Sequence, residues 1–262
     1  MRWAAHPIAA LLGMLCVAAG CRATPGLRER LRDPDTPLRF VCCYAEDLAP
    51  ADLEGFDIAI LDAAVRRPPR ELSGNGRRLV LAYLSLGEIA EHDPAWPRHA
   101  RAPWLVEPNP DWPGAWRVDP RDPRWQAHVF ARAARLLARG FDGLFLDTAD
   151  VGPWLEERDP ETWRGAAHAM AQIIAGLRRR FPDSLLVLNQ GLALYPAVRP
   201  HLDAALAEGL FVRYDFATRR YRKVRPGSDA ARLRERFLAL RRSGLRVLTI
   251  EYAPPDATDL VR

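Results

Sequence analysis

The sequence predicts an α/β fold of the (β/α) TIM-type barrel class, incomplete by one strand. Three observations predict it. Short apolar runs without polar alternation recur along the chain, as parallel strands covered on both faces require. Amphipathic stretches of helical period, closed by glycine or proline, separate these runs. Seven such strands fall within about 220 residues, a density that favours a barrel over an open sheet. The first strand is followed by "YAEDLAPADL". That stretch has no glycine, which argues against a dinucleotide-binding fold.

The predicted strands span 40–44, 56–61, 79–85, 143–147, 185–189, 204–211 and 246–252. Trp125, Val129, Ala133, Leu136 and Leu137 form one apolar helical face, and Gly140 stops that helix. Asp159-Pro160 reads as an N-cap with proline in the first turn. Trp163, Ala167, Met170, Ile174, Leu177 and Phe181 continue that helix to Pro182. Ser228 starts a third helix, with Leu233, Phe237 and Leu240 facing inward and Gly244 at its end. A closed barrel needs eight strands. After Tyr252 the remaining "APPDATDLVR" is enough to begin a helix and not to add a strand, so the eighth is expected to be missing.

With 262 residues, 48% of them hydrophobic, the chain can build a sizeable core. Arg2 and His6 precede the apolar stretch "PIAALLGMLCVAAGC", too short for a comfortable membrane span. Its end, small residues directly before Cys21, resembles a bacterial lipoprotein signal. The expected organisation is a signal peptide with lipobox over 1–21, a proline-containing tether over 22–38, and a barrel domain over 39–262. Cys21 would carry lipid. The mature protein is expected outside the cytoplasm, anchored to the periplasmic or outer-membrane face of the envelope, or secreted. Cys42 and Cys43 are adjacent, point to opposite faces of a strand, and read as small core residues. The net charge is +5, almost all from arginine, with Lys223 the single lysine. No dense basic run with interleaved aromatics suggests nucleic acid, and "LRRRFP" at 177–182 reads as a solvated helix end. No metal site or cofactor motif is expected, and the protein is expected to be a monomer.

In this architecture function sits where the strands end at their carboxyl side. Those ends carry Tyr44, Asp62, Tyr83, Glu88, Asp147, Asp150, Asn189, Glu208, Glu251 and Tyr252. One polar strand end is loop capping. Carboxylates and an asparagine gathered at one rim, several inside apolar runs, call for a further reason, because burying an unpaired charge costs several kcal/mol. Glu208, between Leu206 and Leu210, is the sharpest case. Asp147 and Glu208 come from the fourth and sixth strands and could face each other across the mouth. Two opposed carboxylates are the minimal equipment for glycosidic hydrolysis, one protonated to donate and one ionised to attack or to activate water. A long loop over 89–123 holds Trp96, Trp104, Trp112 and Trp116, suited either to stacking against sugar rings or to packing onto the rim. Asp119 in the same loop is a ligand contact or a turn residue.

Several stretches together resemble glycoside hydrolase family 114, the endo-α-1,4-polygalactosaminidase-like (β/α) barrels. They are "LAYLSLGEIAEHDPAW", "WRVDPRDPRWQ", "GFDGLFLDTAD", "LLVLNQG", "AEGLF" and "TIEYA", in that order over 40–253. The resemblance implies two-carboxylate hydrolysis of α-1,4-linked galactosamine polymers, with Asp147 and Glu208 as the catalytic pair and Tyr83, Asn189 and Glu251 lining the pocket. Together with Tyr44, Asp62, Glu88, Trp116, Asp119, Asp150 and Tyr252 these form the expected substrate-binding set. Two competing readings remain open on the residues alone. One is a surface lipoprotein that binds amino sugars without cleaving them. The other is a metal-dependent phosphodiesterase using Asp147, Asp150 and Glu208, against which the shortage of rim histidines counts.

Overall fold

The computed structural model describes residues 26–215 and 218–253. The expected signal segment and Cys21 lie outside them, as does the stretch 254–262. The chain opens with α1 (Leu27–Arg32), β1 (Phe40–Cys43), β2 (Ile58–Leu61), α2 (Pro69–Leu72) and β3 (Leu79–Ser85). An excursion follows, of β4 (Glu88–Ala90), α3 (Trp96–His99), β5 (Leu105–Pro108) and β6 (Ala115–Val118). Then come α4 (Pro123–Ala138), β7 (Gly143–Asp147), α5 (Val151–Arg158), α6 (Ala166–Arg180), β8 (Leu185–Asn189), α7 (Tyr195–Val198) and β9 (Ala204–Glu208). The last described elements are β10 (Val212–Asp215), β11 (Arg220–Lys223), α8 (Asp229–Arg242) and β12 (Arg246–Ile250).

The seven expected strands pair in parallel, in the order β1-β2-β3-β7-β8-β9-β12. Among the described residues β1 and β12 remain the two free edges, so the barrel is incomplete as the strand count predicts. Alternation along each strand separates two cores. One alternate set, including Ile58, Ile60, Leu81, Phe145, Val187, Leu206 and Leu248, packs together inside the curl. The other, including Ala59, Val80, Leu144, Leu146, Leu186 and Ala205, packs outward against Trp125, Val129, Met170, Ile174, Leu177 and Phe237 of the helices. Cys42 joins the inner set and Cys43 the outer one. Asp122 caps α4 through the Arg124 amide at 2.8 Å, and Ser228 caps α8 through the Ala231 amide at 3.2 Å.

Several expectations need correction. Asp159 does not start the long helix. It closes α5, an element without a sequence signal of its own, and α6 begins only after Gly165. Gly165 adopts φ +83°, a left-handed turn that breaks any helix running from Pro160. The excursion over 89–123 is not an irregular loop, because β4, β6 and β5 form an antiparallel sheet of their own. The sixth strand stops at Glu208 instead of running to residue 211, and the chain turns there into the β10–β11 hairpin.

The segment expected as a tether is part of the fold from Gly26 onward. Leu31 of α1 is fully buried among the inner core residues at the amino ends of the strands, and forms the barrel floor. Arg246, 6% exposed at the start of β12, holds α1 in place. It donates to the carbonyls of Arg30 at 2.8 Å, Leu31 at 3.2 Å and Thr36 at 2.7 Å, and also to that of Asp33. Three aspartates each stand one residue before a strand and accept an amide of the neighbouring strand or its lead-in: Asp57 from Arg39, Asp142 from Val80 and Asp203 from Leu186, all at 2.9 Å. Each also meets an arginine of α1: Arg30–Asp57 at 3.1 Å, Arg28–Asp142 at 3.4 Å and Arg32–Asp203 at 2.7 Å. Leu31→Ala is therefore expected to lower unfolding stability by about 2–5 kcal/mol in urea denaturation. A tether residue in the same place would leave the transition unmoved.

Candidate active site

The inner face of each strand continues past the apolar core by one more residue of the same parity. Leu81, Phe145, Val187 and Leu206 are followed two residues on by Tyr83, Asp147, Asn189 and Glu208. The mouth is thus the last inward layer of the sheet, with polar groups replacing apolar ones. Asn189, 5% exposed at the end of β8, sits between the two acids. Its Nδ2 donates to Asp147 Oδ1 at 2.9 Å and to Glu208 Oε1 at 2.8 Å. Sharing one nitrogen, these oxygens lie within two hydrogen-bond lengths of each other. Asn189 Oδ1, turned away from the acids, has no hydrogen-bond partner among the described residues.

Each acid takes one further neutral donor. The Tyr83 hydroxyl donates to Asp147 Oδ2 at 2.7 Å, and the Tyr252 hydroxyl donates to Glu208 Oε2. Among the described residues neither acid makes an ion pair, so the pair is held without a cation. Burial raises the Tyr83 hydroxyl above its ordinary pKa, and the adjacent Asp147 carboxylate adds to this. Tyr252 is raised by burial and by its bond to Glu208, and Tyr44 by burial and then by Cys42 and the two acids. All three tyrosines stay protonated, and Tyr83 and Tyr252 are thereby able to donate to the two acids. The Tyr44 ring stands edge-on to that of Tyr83, centroids 5.8 Å apart. Cys42, two residues earlier on the same face, has its thiol pushed up to about 12 by burial and the two carboxylates, so it is a neutral wall of the site.

Glu88 and Asp150 extend the acidic character outward. Glu88 Oε1 accepts Asn109 Nδ2 at 2.7 Å, and Arg117 Nη2 holds Asn109 Oδ1 at 3.1 Å. Burial raises the Glu88 carboxyl, and repulsion from Asp147 and Asp150 adds to it. Asp150 opens α5 without a side-chain cap bond. Its carboxyl, reachable by solvent but set in a recess, is raised by partial burial and by Asp147 and Glu208.

Four expected site residues are engaged elsewhere. Asp62 Oδ1 accepts the Ala64 amide at 2.6 Å and shapes the turn after β2. Both oxygens of Asp119 are held by Arg121 at 2.9 Å. Glu251 accepts three backbone amides, of Leu210 at 3.2 Å, Phe211 at 3.0 Å and Val212 at 2.8 Å, so it clamps the turn after Glu208 instead of lining the pocket. Trp116 packs on Trp96, centroids 5.8 Å apart, and donates Nε1 to Glu91 at 2.9 Å. Trp104 is buried against Trp125, and only Trp112 of the loop tryptophans is exposed, at 72%. Sequence reasoning missed Cys42, Asn109 and Arg117. Cys42 was within reach, since it shares the parity of Tyr44. Among the described residues no group of three or more His, Cys, Asp or Glu is arranged to hold a metal ion.

A curled parallel sheet with two acids bridged at its carboxyl rim defines a (β/α)-barrel protein with its chemistry at the strand ends. The chain belongs to Glycoside-hydrolase family GH114, whose family model matches residues 26–261. It is similar to the glycoside hydrolase domain of PelA from Pseudomonas aeruginosa, at 30% identity and TM-score 0.73 over 84% of this chain and 86% of that one. The fold is shared with Aspergillus fumigatus Ega3, solved in complex with galactosamine, at 15% identity and TM-score 0.63 over 84% and 78% of the two chains. An uncharacterized protein of Deinococcus radiodurans is 32% identical over 188 residues, 69% of this chain and 58% of that protein's length.

A carboxyl whose pKa is higher folded than unfolded binds protons on folding. Its stabilising contribution is full below the ordinary carboxylate range and is lost as pH rises through the raised value. Glu88→Gln keeps an acceptor for Asn109 and removes that loss. The variant is expected to melt above the wild type at neutral pH, with the gap closing as the pH falls towards about 4. Melting curves across that range check it.

Proposed function

We propose that the protein is an exported glycoside hydrolase that cuts α-1,4-linked galactosamine-type polysaccharide by a two-carboxylate mechanism. The observation that carries this reading is the Asn189 amide bonded to Asp147 and Glu208 at once, which keeps both acids within reach of one glycosidic linkage. Family membership supports the reaction class. Asp147 is the nucleophile and Glu208 the general acid and base. Glu208 gives its proton to the leaving oxygen while an Asp147 oxygen attacks the anomeric carbon and the glycosidic bond breaks. Water then loses a proton to Glu208 and displaces the sugar from Asp147, which restores both groups. The single amide nitrogen that bridges the acids supports this retaining course over an inverting one, in which a water must fit between them.

The substrate class is supported by charge. Asp147, Asp150, Glu88 and Glu208 share one mouth, and a cleft's local field outweighs a net charge of +5 on the whole chain. A polymer carrying ammonium groups suits that mouth. Trp112 is presented by the turn that begins at Asn109, whose side chain contacts Glu88, and offers an apolar face to a pyranose ring near the mouth. Export and lipid attachment at Cys21 rest on the signal-like sequence of residues 1–21. On this reading the protein sits on the periplasmic or outer-membrane face of the envelope, or is secreted.

Incubation with de-N-acetylated and acetylated hexosamine polymers, read by mass spectrometry, tests the activity. Glu208→Gln is expected to lower kcat by about 10²–10⁴-fold, and Asp147→Asn at least as much. Early products followed by proton NMR should keep the α-anomer. Binding without cleavage by the wild type would instead favour an amino-sugar-binding lipoprotein. Replacing Cys21 with alanine is expected to abolish labelling by radioactive palmitate and to move the protein from the membrane to the soluble fraction.

A further inference from the structure

Thr148 follows Asp147 directly and has φ +57°, a conformation that a β-branched residue seldom adopts without compensation. Its hydroxyl supplies the compensation. Thr148 Oγ1 accepts the Gly87 amide at 2.8 Å, donates to the Asp147 carbonyl at 2.7 Å, and lies 2.8 Å from Ser85 Oγ in a hydroxyl–hydroxyl contact. Ser85 Oγ in turn donates to the Glu88 carbonyl at 2.7 Å and accepts the Glu88 amide at 3.1 Å. The two residues between Ser85 and Glu88 are held at every backbone N–H and C=O. The Leu86 amide donates to the Asp147 carbonyl at 2.9 Å, and Trp125 Nε1 donates to the Leu86 carbonyl at 2.8 Å. The Val118 amide donates to the Gly87 carbonyl at 3.0 Å, which leaves the Gly87 amide to Thr148 alone. A Cβ at Gly87 would stand 2.2 Å from the Thr148 carbonyl oxygen, so the turn approaches β7 more closely than any side chain allows.

We propose that Thr148 is a positioning residue whose hydroxyl locks the 85–88 turn onto the end of the Asp147 strand. The lock sets the distance between Glu88 and Asp147. A substrate that engages both carboxylates is thereby held in register, an inference that rests on the glycosidase reading of the mouth. The side-chain contacts of the Asp147–Asn189–Glu208 group do not pass through this hydroxyl, which reaches Asp147 only at its main-chain carbonyl, so its loss falls on KM and spares kcat.

Thr148→Val and Thr148→Ser, made in the full chain, test this by two readouts. Hydrogen exchange in the peptide covering 85–90 is expected to accelerate about tenfold in Thr148→Val, the loss of one hydrogen bond. KM for α-1,4-linked galactosamine oligosaccharides should rise by a similar factor with kcat nearly unchanged, and Thr148→Ser should restore both values. Faster exchange with an unchanged KM would make the hydroxyl purely structural and overturn the proposal. Unchanged exchange, or a fall in kcat alone, would also overturn it. If the wild type cleaves no oligosaccharide, the glycosidase reading fails separately. The dissociation constant for the same oligosaccharides then decides Thr148, with equal values in wild type and Thr148→Val counting against it. Should Thr148→Val fail to fold, Thr148→Ala takes its place in both measurements.

Discussion

The mouth depends on one neutral amide. Two acids at the ends of β7 and β9 project from an apolar sheet, and no cation pairs with them among the described residues. Bringing like charges together in a partly dry site is unfavourable unless something accepts both fields. Asn189 does so with the two hydrogens of a single nitrogen, and the tyrosine hydroxyls complete the set. An arginine in that place would neutralise the pair and fill the space between the acids. An amide fixes their spacing and leaves their charge available to a ligand.

The two ends of the sheet solve opposite electrostatic problems with opposite residues. At the floor, aspartates stand before alternate strands and meet arginines of α1, and a buried arginine ties the helix carbonyls to β12. Charge there is paired and spent on cohesion. At the mouth, the acids have no ion-pair partner among the described residues and are surrounded by protonated tyrosines and a protonated thiol. The arginine richness of the chain, uninformative as composition, serves the floor and the outer loops, and among the described residues no arginine pairs with Asp147 or Glu208.

The sheet and the polar layer at its mouth were legible because both follow period-two alternation. Once the strands are placed, Tyr83, Asp147, Asn189 and Glu208 fall on one face by parity alone. Glu251 misled because it also ends a strand, yet its oxygens face the backbone amides of residues 210–212, a partnership made by a turn that no periodicity announces. The antiparallel sheet over 88–118 was hidden by its prolines and tryptophans, whose packing against one another replaces the usual alternation. The floor did leave a trace: an aromatic or leucine followed by aspartate precedes three strands, at 56–57, 141–142 and 202–203. Its meaning depends on α1, which is too short to show a helical period and whose partners lie up to 216 positions away.

That separation has a kinetic consequence. A six-residue helix has no independent stability in water, and α1 emerges before every strand it must touch. Its last partner, Arg246, belongs to the final described strand. The earliest-synthesised piece of the barrel is thus among the last to find its seat, and the floor stays unfinished until β12 is made. Such high contact order slows folding, because the loop that joins α1 to β12 must close before either end gains its contacts.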